Sequence, residues 1–119
     1  MRLPVDWIRG VCLAFPAATE QVQWGNDLVF KVESKMFAVT CLEPAAVWLS
    51  FKVTPEQFAE LTEQPGIIPA PYLARAKWIA LQPDCALSRA DVKTLLRGSY
   101  DLIVAGLPKK LRQNLENQP

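Results

Sequence analysis

The sequence predicts an α+β fold in which an antiparallel sheet of about five strands, begun as a meander, carries helices mainly on one face. Three observations predict it. Apolar residues recur at helical spacing near both ends, they alternate at strand spacing over residues 21–53, and two helix starts carry capping signals. With 119 residues the chain has the size of one domain, so we expect 1–119 to fold as a unit, with 108–119 as a basic C-terminal tail.

The elements follow in order. Pro4 suits a first helical turn, and Ile8, Val11, Cys12 and Phe15 share one helix face, so residues 4–14 are predicted as an amphipathic helix. Pro16 ends it, and 16–19 is expected as loop. From Gln21 the period becomes two: Val22 and Trp24, a turn at Gly25-Asn26-Asp27, then Leu28, Phe30 and Val32 make a hairpin. After the polar turn Glu33-Ser34-Lys35, the apolar run Met36 to Leu42 is expected as a central strand covered on both faces. Val47, Leu49, Phe51 and Val53 then alternate with Trp48, Ser50 and Lys52, the clearest strand in the chain.

Thr54 and Gln57 have the spacing of a capping box, which starts a short helix through Leu61 that docks by Phe58 and Leu61. Pro65, Pro69 and Pro71 make the next segment a stiffened loop, and Ala76 to Leu81 is the fifth strand. Ser88 and Asp91 form a second capping box, opening a long helix whose buried stripe runs from Val92 through Leu95, Leu96, Ser99, Leu102 and Ile103 to Gly106. Pro108 forces a stop or sharp kink, and a basic, short helical tail is expected after it.

Composition excludes several function classes. Half the residues are hydrophobic and 21% are charged, which is globular composition. Thirteen basic and twelve acidic residues leave a net charge of +1, so any polyanion binding must come from local patches. No segment approaches the roughly 20 apolar residues that span a bilayer, and we expect a cytoplasmic protein with no membrane partner. There is no histidine, which removes Ser/His/Asp and Cys/His catalysis. Cys12, Cys41 and Cys85 show no metal or redox spacing, and Cys12 and Cys41 read as small core residues. No carboxylate pair is spaced for acid/base work. The expectation is a protein that is no enzyme and has neither metal nor cofactor.

Three stretches in order carry a family resemblance: Trp24-Gly25 through Leu28-Val29-Phe30-Lys31-Val32 with Lys35-Met36-Phe37; Pro69-Ala70-Pro71-Tyr72 with Lys77-Trp78; and Ser99-Tyr100 with Leu107-Pro108-Lys109-Lys110. Together they resemble the MmcQ/YjbR family along nearly the whole chain. That resemblance implies a compact double-wing sheet with flanking helices, and a DNA-binding label without catalytic residues. The sequence departs from the family at Ala74-Arg75-Ala76-Lys77, where relatives often carry an asparagine and a histidine.

Candidate site residues follow from surface chemistry. Lys31, Lys35, Lys52, Arg75 and Lys77 with Trp78, and the tail cations Lys109, Lys110 and Arg112, are candidates for nucleic-acid contacts, cations meeting phosphates and aromatics stacking on bases. Solvated charge explains such lysines equally well, and the helix dipole favours cations at C-terminal ends. Trp24 reads as structural, whereas Trp48 on the polar face of its strand and Tyr72 in the stiffened loop read as a partner surface. The partner is therefore expected to be DNA, with a protein partner of an adaptor or chaperone-like molecule as the competing reading, and the chain a monomer or weak homodimer. The near-neutral charge favours the competing reading.

Overall fold

The computed structural model describes residues 2–116, and its element order follows the expected one with one added strand. Helix α1 spans Val5–Leu13, with Pro4 at its N-cap and Ile8 and Cys12 buried. Strands β1 (Ala18–Gln23), β2 (Asp27–Val32), β3 (Lys35–Cys41) and β4 (Leu49–Lys52) form the meander. Helix α2 (Pro55–Leu61) leads to the added strand β5 (Ile67–Pro69). A 3-10 turn at Ala74–Ala76 precedes β6 (Trp78–Leu81), and helices α3 (Arg89–Ala105) and α4 (Lys109–Glu116) complete the described chain.

The six strands lie in the order β1-β2-β3-β4-β6-β5, every neighbouring pair antiparallel. The segment 65–71, expected as loop, thus holds the edge strand β5. Pro69 has no N–H to give, which an edge tolerates and a central strand does not. Ala18 and Thr19, also expected as loop, already pair with Val32 and Lys31. Both capping boxes form: Thr54 with Gln57 on α2 and Ser88 with Asp91 on α3. The β2–β3 connection is a two-residue turn in which Glu33 and Ser34 both have positive φ, the twist that a tight hairpin demands.

One irregularity sets the phase of β3. Phe30 opposes Ala38 but Lys31 opposes Met36, so Phe37 is an extra residue, and Phe37 and Ala38 are both buried in the core. Alternation breaks again before β4, where Trp48 and Leu49 are consecutive core residues. The core lies between this face of the sheet and helices α1 and α3. Its aromatic centre is Phe15, Phe37 and Tyr100, with Tyr100 5.1 Å from Phe15 and edge-on to Phe37 at 5.6 Å. The Tyr100 hydroxyl donates to the Pro16 carbonyl at 2.6 Å and ties α3 to the exit of α1.

Expectation and structure differ at three further places. Trp48 is 1% exposed and donates its indole N–H to the Gln82 carbonyl, so it is a core residue and no partner surface. Strand β3, expected to be covered on both faces, is fully covered on one and only partly on the other, where Met36, Val39 and Cys41 remain half-exposed. The basic tail is helical over 109–116, as expected, but docked against the domain: Leu115 is buried in the core and Leu111 packs against it. Residues 117–119 of that tail lie outside the described residues.

Candidate functional site

The face of the sheet away from α1 and α3 carries the site. Register places Val29, Val39, Ser50, Ala80 and Ile68 in one row across that face, with Lys31 opposite Met36 and Lys52 opposite Trp78 in neighbouring rows. No helix lies along this row. The segment Ala70–Leu73 folds over part of it instead, and Ala70 and Leu73 pack with Trp78, Ala80, Met36, Val39 and Val47 in a second, smaller apolar cluster.

Between that strap and the β1–β2 turn opens a cleft of about 550 Å³. Its walls are mostly apolar, from Met36, Val39, Val47 and Leu73, with Asp27 and Ser50 as polar members. Trp24 and Tyr72 stand on its rim, 66% and 104% exposed. Each has a left-handed backbone, φ 52° and 65°. An adjoining groove of about 460 Å³ shares Met36 and Leu73 with the cleft. Lys35 and Lys52 line it, together with Trp78 and the Leu107–Pro108 corner between α3 and α4.

The expected cations divide into two groups. Lys35 and Lys52 line the groove, Lys35 exposed, and Lys109 and Lys110 are exposed in the two positions that follow its lining residue Pro108. Lys52 also donates to the Ala76 carbonyl, and Lys31, on the same sheet face, donates to Gln21 Oε1 at 3.0 Å. Arg75 is exposed on the 3-10 turn beside Ala76, another groove residue. Lys77 departs from the group: its ammonium lies 4.9 Å over the Phe58 ring of α2. Arg112 is half-buried on α4. Trp78 is 3% exposed, which removes it as a stacking platform for a base.

Two arginines on the helices are paired with carboxylates. Arg9 on α1 makes a bidentate pair with Glu20, with contacts of 2.7 and 2.8 Å, and Arg97 on α3 binds Asp101 at 3.1 Å. Among the described residues, no ion pair engages Lys31, Lys35, Lys52, Lys109 or Lys110. Lys109 and Lys110 occupy the first turn of α4, the positive end of its dipole, so that helix's own field does not account for them.

Sequence reasoning missed Trp24 and Cys41. Trp24 read as structural, yet it exchanges roles with Trp48; the signal was a tryptophan in the hairpin turn directly before a glycine. Cys41, expected in the core, is half-exposed on the cleft wall, and its thiol donates to the Val47 carbonyl at 3.3 Å. Burial first, and then the negative charge of Asp27, push its pKa above the ordinary thiol value. Among the described residues no group of three or more His, Cys, Asp or Glu is placed to hold a metal ion, and no helix is long and apolar enough to cross a membrane.

A helix-backed antiparallel sheet with an apolar cleft and a lysine groove on its open face defines this as an α+β domain of the type shared by several solved structures. The YjbR family pattern matches residues 13–102, and the chain belongs to the YjbR family. A crystal structure of Deinococcus radiodurans protein DR2400, domain DUF419, superposes with a TM-score of 0.84 at 33% identity, covering 94% of this chain and 87% of that one. A Pseudomonas syringae protein, target PsR293, shares the fold at a TM-score of 0.69 and 19% identity, over 84% of this chain and 98% of that one. The curated "Uncharacterized protein YbdF" of Escherichia coli O157:H7 is 29% identical over 84 residues, 69% of this chain and 68% of that protein.

Proposed function

We propose that the protein is a non-enzymatic, cytoplasmic nucleic-acid-binding domain, monomeric or weakly dimeric, that holds phosphates at its open-face groove. The observation that carries this reading is that Lys35 and Lys52 line one groove, with Lys109 and Lys110 in the two positions after its lining residue Pro108, none of the four paired with a carboxylate among the described residues. Unpaired cations around one groove attract a polyanion although the net charge is only +1.

The test is fluorescence anisotropy of labelled DNA across a salt series. Four phosphate contacts give a log–log salt slope of roughly −3, and each Lys→Ala change at Lys35, Lys109 or Lys110 reduces its magnitude by about 0.7–0.9. Absence of DNA binding even at low salt rejects the reading. A second reading, a protein partner on the same face, draws support from the exposed rings of Trp24 and Tyr72 beside an apolar cleft. Its mark is binding that changes little with salt.

A further inference from the structure

We infer that the cleft between Trp24 and Tyr72 is a pocket for a single unstacked nucleobase, so that the protein prefers single-stranded or unpaired DNA to duplex. The inference rests on the nucleic-acid reading above and adds the strand state and the base chemistry.

Size and position come first. The cleft, about 550 Å³, falls within the range of sites that take small planar molecules, and it joins the lysine groove through the shared residues Met36 and Leu73. A nucleotide has the same layout, a flat apolar-faced base next to a phosphate. A base seated in the cleft therefore leaves its strand's phosphates beside Lys35 and Lys52.

The rim gives the second argument. Two large aromatic side chains are turned to solvent at Trp24 and Tyr72, each on a left-handed backbone that side-chain-bearing residues adopt only at a cost. Neither ring contributes to the buried clusters, so folding does not explain their placement. Aromatic rings exposed beside cations are the combination that binds unpaired strands, because every base offers a π face. In a duplex those faces are stacked and the edges paired, which keeps a base out of a walled cleft.

The polar lining offers the base hydrogen-bond partners. Asp27, when ionised, only accepts hydrogen bonds, and the Ser50 hydroxyl does both. An acceptor suits the exocyclic amine of adenine, cytosine or guanine and equally the ring N3–H that an unpaired thymine exposes, so the pocket takes any base.

The experiment compares labelled oligo(dA), oligo(dC) and oligo(dT) of about twelve nucleotides with a duplex of equal length. It uses the full chain and the variants Trp24→Asn and Tyr72→Asn, since asparagine tolerates a left-handed backbone and keeps the turns intact. Thermal melts confirm that each variant folds. The expected result is at least about tenfold tighter binding to the single strands than to duplex, lost about tenfold in either variant, with the salt slope unchanged. Salt-sensitive binding that treats duplex and single strand alike, and that neither variant weakens, overturns the base pocket and leaves the lysine groove standing. No binding to any oligonucleotide at low salt overturns both and turns the cleft over to a protein partner.

Discussion

The hydroxyl of Ser99, fully buried on α3, donates to the main-chain carbonyl of Lys52 at the end of β4, with the Leu95 carbonyl 3.1 Å away as its intrahelical alternative. Lys52 sends its own side chain to the groove on the far side of the sheet. One hydrogen bond thus links the helical layer to the strand that carries a candidate phosphate contact. Ser99→Ala strands a buried carbonyl and is expected to cost about 1–2 kcal/mol by urea denaturation. An unchanged midpoint would show that the bond adds nothing.

The Arg9–Glu20 pair supplies a pH dependence. Its hydrogen bonds to Arg9, chiefly, hold the Glu20 carboxyl below its ordinary value of 4.5. A depressed folded pKa means stability that is present above the unfolded pKa and lost as pH falls through the folded one. Wild type is therefore expected to exceed Glu20→Gln by at most about 1 kcal/mol at neutral pH, because the Arg9 side chain is 43% exposed. That margin should close below about pH 4. A margin that persists at acid pH would contradict the pairing.

The thiols differ in reactivity. Burial pushes Cys12 to about 12, and burial plus Asp27 raise Cys41 by a smaller, directional amount. Thiolate is the reactive form, so iodoacetamide at about pH 8 should leave Cys12 unmodified and label Cys41 slowly, with the rate climbing as pH rises. Asp27→Asn removes a charge that opposes the thiolate and should speed labelling of Cys41. Equal rates for Cys12 in folded and urea-unfolded protein would refute its burial.

Two left-handed glycines separate backbone strain from steric closure. At Gly66, φ +84°, an added Cβ would lie 2.6 Å from the Cys85 amide nitrogen, whereas at Gly25, φ +87°, nothing lies within 4 Å. Gly25→Ala is expected to cost about 1 kcal/mol and Gly66→Ala roughly 2–4 kcal/mol. Similar losses at both sites would mean that the close approach to Cys85 relaxes freely.

Much of the fold was readable in residues that act locally. Thr54 with Gln57 and Ser88 with Asp91 announce their helices because a capping box is complete within four residues, and Leu28, Phe30 and Val32 announce β2 because they recur at strand spacing on the core face. Strand β5 escaped because three residues between prolines carry no period, and only pairing with β6 makes them a strand. Trp24 and Trp48 exchanged places because neither lies in a strand: Trp24 sits in the β1–β2 turn and Trp48 just before β4 as a core residue beside Leu49, so alternation does not set their burial. The site was half legible. Its lysines could be named from composition, but the cleft exists only once Ala70–Leu73 folds across the sheet, a tertiary event without a local signature.

The uneven pairing of charge leaves local cations that the near-neutral total conceals. Arg9 and Arg97 spend their charge on carboxylates, while Lys35 and Lys52 at the groove and Lys109 and Lys110 after Pro108 have no carboxylate partner among the described residues. A local cluster of such cations attracts an anionic surface whatever the net charge. On a sulfonated chromatography resin it should be retained longer than an isotropic protein of the same isoelectric point, held by a patch and not by its sum.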